Sequence, residues 1–269
     1  MKHVTLIFAF CLTALCACNN IGEDERYIIV ESTTPPGGEV KQMRRVLIED
    51  FTGQRCINCP NAADEIVRLK ESYGADSIIA VGIHGGDLAF KSTERLLGLR
   101  TDLGDEYNSY WKVEAWPLGL INRSGSLANI DQWFTLVSQA RNLQAPLSIE
   151  VAGFYDETSR QIAINVKANA FENVSGKLQL WLTESGIVAM QSMPDGTNNR
   201  EYVHNHVLRA AVNGAWGEDF SAIQGQEVSI QQRFTIEPSW QPSNMSVVAF
   251  VYNDQGVLQV VEKEIEMGQ

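Results

Sequence analysis

Cys56 and Cys59 stand three positions apart in FTGQRCINCPNAADEI, residues 51 to 66, where an apolar run gives way to a helical pattern. Thiols at this spacing exchange disulfides, supply half of a zinc site, or close a small loop. At the N-terminal end of a helix, unpaired amides and the helix dipole stabilise a thiolate, which makes Cys56 the nucleophile. Cys59, one turn further and on the same side, is then placed to attack the mixed disulfide and release reduced product. This reading requires the Cys56 sulfur to be reachable and aimed at its neighbour. Zinc wants four ligands, commonly with a second cysteine pair, and the sequence has none. His84, His204 and His206 would complete such a site only if the two halves of the chain folded against each other. We therefore expect no metal and no cofactor.

The chain has 5 Cys. Lys2 and His3 precede an apolar run from Val4 to Ala17 that is too short to span a bilayer and reads as a secretory signal. It ends Leu15-Cys16-Ala17-Cys18, which resembles a bacterial lipobox and makes Cys18 the acylated first residue of the mature chain. Cys56 and Cys59 are then the remaining thiols, in an oxidising compartment. A bridge closing so short a loop restricts the unfolded chain little, so stapling explains the pair poorly. The formal net charge of -12 disfavours nucleic acid and anionic membrane surfaces as partners, leaving lipid as the expected membrane attachment.

The elements that must hold the cysteines follow from periodicity. Residues 18–42, with Glu23-Asp24-Glu25 and Pro35-Pro36-Gly37-Gly38, read as a tether after the signal at 1–17, with Tyr27 to Val30 as one edge strand. Over 43–145 the pattern alternates: a strand at 45–51, a helix from about 57 to 73, a buried strand at 77–84, and a helix over 130–143. Strands joined through a helix imply a mostly parallel, covered sheet. Over 146–269 residues alternate apolar and polar, which predicts six or seven short strands in an antiparallel sandwich carrying most of the acidity.

The first half resembles thioredoxin and membrane-anchored thiol-disulfide oxidoreductases: an apolar strand ending Asp50-Phe51, then Cys56-Ile57-Asn58-Cys59, a further strand, and Trp116-Pro117. That resemblance implies a buried Asp50 accepting the Cys59 proton. It also implies a cis-proline loop whose Trp116 backbone pairs with an extended substrate. Arg55, the Ile57-Asn58 pair and Pro60 depart from the usual pattern, so the direction of electron flow does not carry over. A longer likeness runs through RVLIEDFTGQ (45–54), the Cys pair with Pro60, VGIH (81–84), INR (121–123) and YVHNHVLR (202–209). By it the chain is similar to the Omp28-related outer-membrane lipoproteins. The likeness implies a lipid-anchored protein with a thioredoxin-like α/β domain followed by an all-β, Ig-like sandwich, and it supplies no substrate.

The sequence thus predicts an exchanger acting on thiols or disulfides of envelope proteins, with Cys56, Cys59 and Asp50 catalytic and Trp116, Pro117 and His84 at the substrate. The rival is a surface adhesion or binding lipoprotein, with an unidentified ligand, that uses the same fold as scaffold. His204 and His206, two apart, are expected on one extended segment pointing the same way. Trp111, Trp116, Trp181, Trp216 and Trp240 suggest a carbohydrate platform, though scattered tryptophans usually belong to a core.

Overall fold

A computed structural model describes residues 27–30 and 42–268. The signal, Cys18 and most of the expected tether lie outside the described residues. Among the described residues the fold is mostly β with three α-helices. In chain order the strands are β1 (Tyr27–Val30), β2 (Val46–Thr52), β3 (Ile78–His84), β4 (Leu118–Ile121), β5 (Leu147–Asp156), β6 (Gln161–Ala170), β7 (Val174–Glu184) and β8 (Ile187–Ser192). They continue as β9 (Asn198–His204), β10 (Val207–Ala211), β11 (Glu218–Ala222), β12 (Glu227–Thr235), β13 (Met245–Asn253), β14 (Gly256–Glu264) and β15 (Glu266–Met267). The helices are α1 (Cys59–Tyr73), α2 (Asp102–Trp111) and α3 (Ile130–Arg141).

A five-stranded sheet, β1-β12-β6-β5-β15, faces an eight-stranded one, β14-β13-β7-β10-β3-β2-β4 with β11 on β7; β8 and β9 form a separate hairpin. β2 and β3 are parallel through α1, as the alternation requires, and β4 closes the edge antiparallel. The larger sheet takes strands from both halves of the sequence, because Val207 of β10 pairs with Gly82 of β3. More strands form beyond residue 146 than the six or seven expected. β8 to β11 are only five to seven residues long, β9 and β11 are polar, and none shows enough alternation to register as strand.

Alternate residues explain how each face is filled. Val46 and Ile48 of β2, with Ile78 and Ala80 of β3, pack beneath α1 and α3 through Ala62, Ile66, Leu69, Trp133 and Val137. Leu47 and Phe51 point to the opposite face and join Tyr107 of α2, Trp181, Val248 and Phe250. β7 and β13 are buried on both sides, since Leu178, Leu180 and Leu182 face the smaller sheet while Trp181 faces α2. At Gly119 a side-chain carbon would lie 2.4 Å from the Trp133 ring, so only glycine lets α3 seat on β4.

A charged pair is enclosed in the α2 side of this core. Arg123, which has a left-handed φ of 50° after β4, donates from Nε to Glu49 Oε1 at 2.6 Å, and both side chains are almost wholly buried. Five rings surround the guanidinium, from Tyr252 at 4.5 Å to Tyr107 at 5.9 Å. Desolvation pushes the Glu49 carboxyl up, against the pull of Arg123.

Candidate functional site

Cys56 and Cys59 are joined by a disulfide, with Cα atoms 5.4 Å apart. Cys59, not Cys56, is the first residue of α1; the expected start at 57 shifts because residues 54–58 form tight turns held by Cys56 N–H to Gly53 O and Cys59 N–H to Cys56 O. Pro60 fits in the first turn, where no amide partner is lost.

The expectation that Cys56 is reachable is not met: it is 3% exposed and Cys59 4%. The cause is the β8–β9 hairpin, which lies far along the sequence and docks on the cysteine loop. Gln191 Nε2 donates to the Cys56 carbonyl at 2.8 Å, and Ser192 N–H donates to Gln54 O at 2.8 Å. Gln54 reciprocates, donating from Nε2 to Met190 O at 3.2 Å. Sequence reasoning missed Gln191 because nothing local distinguishes it from a solvated strand residue.

Behind the disulfide, β2, β3, α1 and the hairpin enclose a cavity of about 230 Å³ lined by Asp50, Cys59, His84, Gln191, Tyr202 and His204, among others. Asp50 and His84 share this face because Asp50 is paired with Gly82 and Thr52 with His84. Glycines stand on both sides of Asp50, Gly82 in β3 and Gly119 in β4, so neither neighbouring strand offers a side chain to its carboxyl group. Asp50 Oδ1 has no hydrogen-bond partner among the described residues, and burial pushes its carboxyl up to about 7. His84 and His204 meet edge-on, with ring centroids 5.6 Å apart. Burial, reinforced by His204, lowers His84 to about 3, and burial lowers His204 to about 4, so both rings are neutral at physiological pH. The cavity is roomy enough for several water molecules linking these groups.

The remaining expected residues are distributed as follows. The Trp116–Pro117 peptide is cis, and Trp116 Nε1 donates to Asn108 Oδ1 at 3.2 Å. Neither Trp116 nor Pro117 lines the cavity beside the disulfide. His84, expected beside the cysteines, is buried and lines the same cavity as Cys59. His204 ends β9, but His206 has a left-handed φ of 54°, so the two do not share one extended segment as expected. The turn sends His206 toward Lys70, with Nε2 and Nζ 3.0 Å apart, so that the two histidines line different parts of the same cavity. The histidines of the two halves do meet, yet no cluster of three metal-ligating side chains forms among the described residues. No helix among the described residues is long and apolar enough to cross a membrane.

Residues 104–269 match the family model described as outer membrane protein Omp28. The chain belongs to the Omp28 family. Membership makes it an outer-membrane protein. Among solved structures, HBP35 of Porphyromonas gingivalis is 12% identical, with a TM-score of 0.63 over 83% of this chain and 76% of that one, a shared fold. A domain of the outer membrane lipoprotein Omp28 from Porphyromonas gingivalis is 28% identical over 46% of this chain and 92% of that one, with a TM-score of 0.33. No curated protein matches the sequence significantly. The Omp28 match begins after the cysteines, so Cys56, Cys59, Asp50 and His84 lie outside the matched segment while the hairpin that covers them lies within it.

Proposed function

We propose that this Omp28-family protein is a lipid-anchored thiol-disulfide exchanger of the cell envelope, thioredoxin-like over 43–145 and sandwich-like, in the Ig manner, over 146–269. Acylated Cys18 is the anchor in this reading, in keeping with the lipoprotein description of the P. gingivalis relative. The observation that carries the reading is a disulfide at the start of a helix, backed by a buried carboxyl group with a near-neutral pKa in the same cavity. Because Cys56 is buried under the β8–β9 hairpin, exchange requires that hairpin to lift from the cysteine loop. In the direction that oxidises the pair, the Cys56 thiolate then attacks a disulfide of the partner protein, forming a mixed disulfide and expelling one partner thiolate. Cys59 then attacks Cys56 Sγ. The Cys56–Cys59 bond forms, the bond to the partner breaks, the second partner thiolate leaves, and Asp50 takes the Cys59 proton. The partner is thereby reduced and the cysteine pair oxidised. In the reverse direction protonated Asp50 returns the proton to Cys59 as it leaves.

Burial of Cys56 favours a second reading, a binding lipoprotein that uses the fold as scaffold. The two separate on one experiment. Cys59→Ser in the full chain should accumulate mixed disulfides on Cys56, visible on non-reducing gels of envelope fractions. Adding Gln191→Ala should raise their yield several-fold, because it removes the side-chain bond that ties the hairpin to the Cys56 carbonyl and leaves the hairpin held by the Gln54 bonds. Absence of adducts in both variants would leave the scaffold reading.

A further inference from the structure

On the α2 side of the larger sheet lies an open cleft of about 950 Å³, separate from the disulfide cavity. Its wall is aromatic: Tyr110 stacks at a tilt against Trp216 at 4.2 Å and edge-on against Trp111 at 5.0 Å, and Tyr252 continues the surface. Tyr110 is 61% exposed and the other three rings are half-buried. Rings of this size left open on one concave surface forgo burial that a core position would give them, and such patches mark binding sites. The polar groups of the cleft point the same way. Arg123 is more than nine-tenths buried and lines the cleft, and its Nη1 and Nη2 have no acceptor among the described residues beyond the weak approach of the Tyr107 and Tyr252 hydroxyls. Trp111 Nε1 is also buried without an acceptor among the described residues. All three atoms are donors. Buried donors are almost always paired, so an occupant of this cleft should bring acceptor oxygens together with an apolar flat face.

We infer that the Tyr110–Trp111–Trp216 cleft is a saccharide-binding site. A pyranose presents C–H faces to stack on the rings and ring-edge oxygens to accept from Trp111 and from the Arg123 end of the cleft. Purely aromatic ligands match the wall but not the donors, and phosphate-like anions match the donors but not the wall. The site draws on nothing in the cysteine chemistry and does not depend on that reading.

The full-length protein in detergent should be screened on an array of neutral and uronate-containing oligosaccharides, then titrated calorimetrically with the best-retained probe. Tyr110→Ala should weaken that probe about tenfold, equivalent to roughly 1.4 kcal/mol. Trp111→Phe keeps the ring but removes the donor, and should weaken it a few-fold. A uronate probe preferred over its neutral counterpart would assign its carboxylate to the Arg123 end; equal retention would assign hydroxyls there, and both outcomes support the site. The double variant Cys56→Ser, Cys59→Ser should bind as the wild type does. Retention of no array member, or titration curves unchanged in Tyr110→Ala, would overturn the inference.

Discussion

Arg123→Met should destabilise the protein by about 3–5 kcal/mol, because it leaves Glu49 buried without a counter-charge. The rings around the guanidinium cannot compensate, since their negative faces attract the cation and offer nothing to a carboxylate. Glu49 would then hold its proton to a higher pH in the folded state than in the unfolded chain. Its contribution is fully present below the unfolded pKa and is lost as pH rises through the folded pKa, so the defect should shrink toward acid. Adding Glu49→Gln should recover most of the loss by removing the uncompensated charge. Urea unfolding curves of the three variants at neutral and acidic pH measure this. A loss under about 1 kcal/mol for Arg123→Met would show that water reaches Glu49.

Asp50→Asn should act in the opposite direction, stabilising the fold at alkaline pH. The carboxyl group has an ordinary value of 3.8 and is raised by burial to about 7 in the folded state. Between those limits the folded protein holds a proton that the unfolded chain has released, so wild-type stability falls as pH rises from about 4 to about 7 and is flat above. Asparagine removes that slope. At about pH 8 the gain should be on the order of 2–4 kcal/mol, and below pH 4 it should vanish. Equal pH profiles for the two proteins would contradict it. A residue that costs the fold this much is better explained by chemistry than by packing.

The strands around Asp50 were legible because β3 is buried on both faces and reads as a continuous apolar run, β2 is an apolar strand interrupted by Glu49-Asp50, and the Cys pair with Pro60 marked the opening of α1. Tyr27–Val30 pairs with β12 at the edge of the smaller sheet, as its isolated apolar pattern suggested. What the sequence concealed is long-range. Gln191 meets Cys56 across 135 positions and Tyr107 meets Ala215 across 108, contacts with no periodic trace. The YVHNH segment was visible as a polar motif, but the left-handed turn at His206, which separates its two histidines, depends on tertiary pairing: the Gly82 amide donates to the His206 carbonyl. Trp111 and Trp216 illustrate the same limit, since composition cannot say which tryptophans converge on a cleft.

The most direct test of the exchange mechanism is the rate at which the reduced full-length protein forms the Cys56–Cys59 bond from oxidised glutathione, followed by acid quench and mass analysis between about pH 5 and 9. If Asp50 takes the Cys59 proton, the wild-type rate rises through an inflection near 7, and Asp50→Asn is slower by about a hundredfold with that inflection gone. A pH profile superimposable on that of Asp50→Asn, or a Cys56 that captures no glutathione at any pH, would contradict the account.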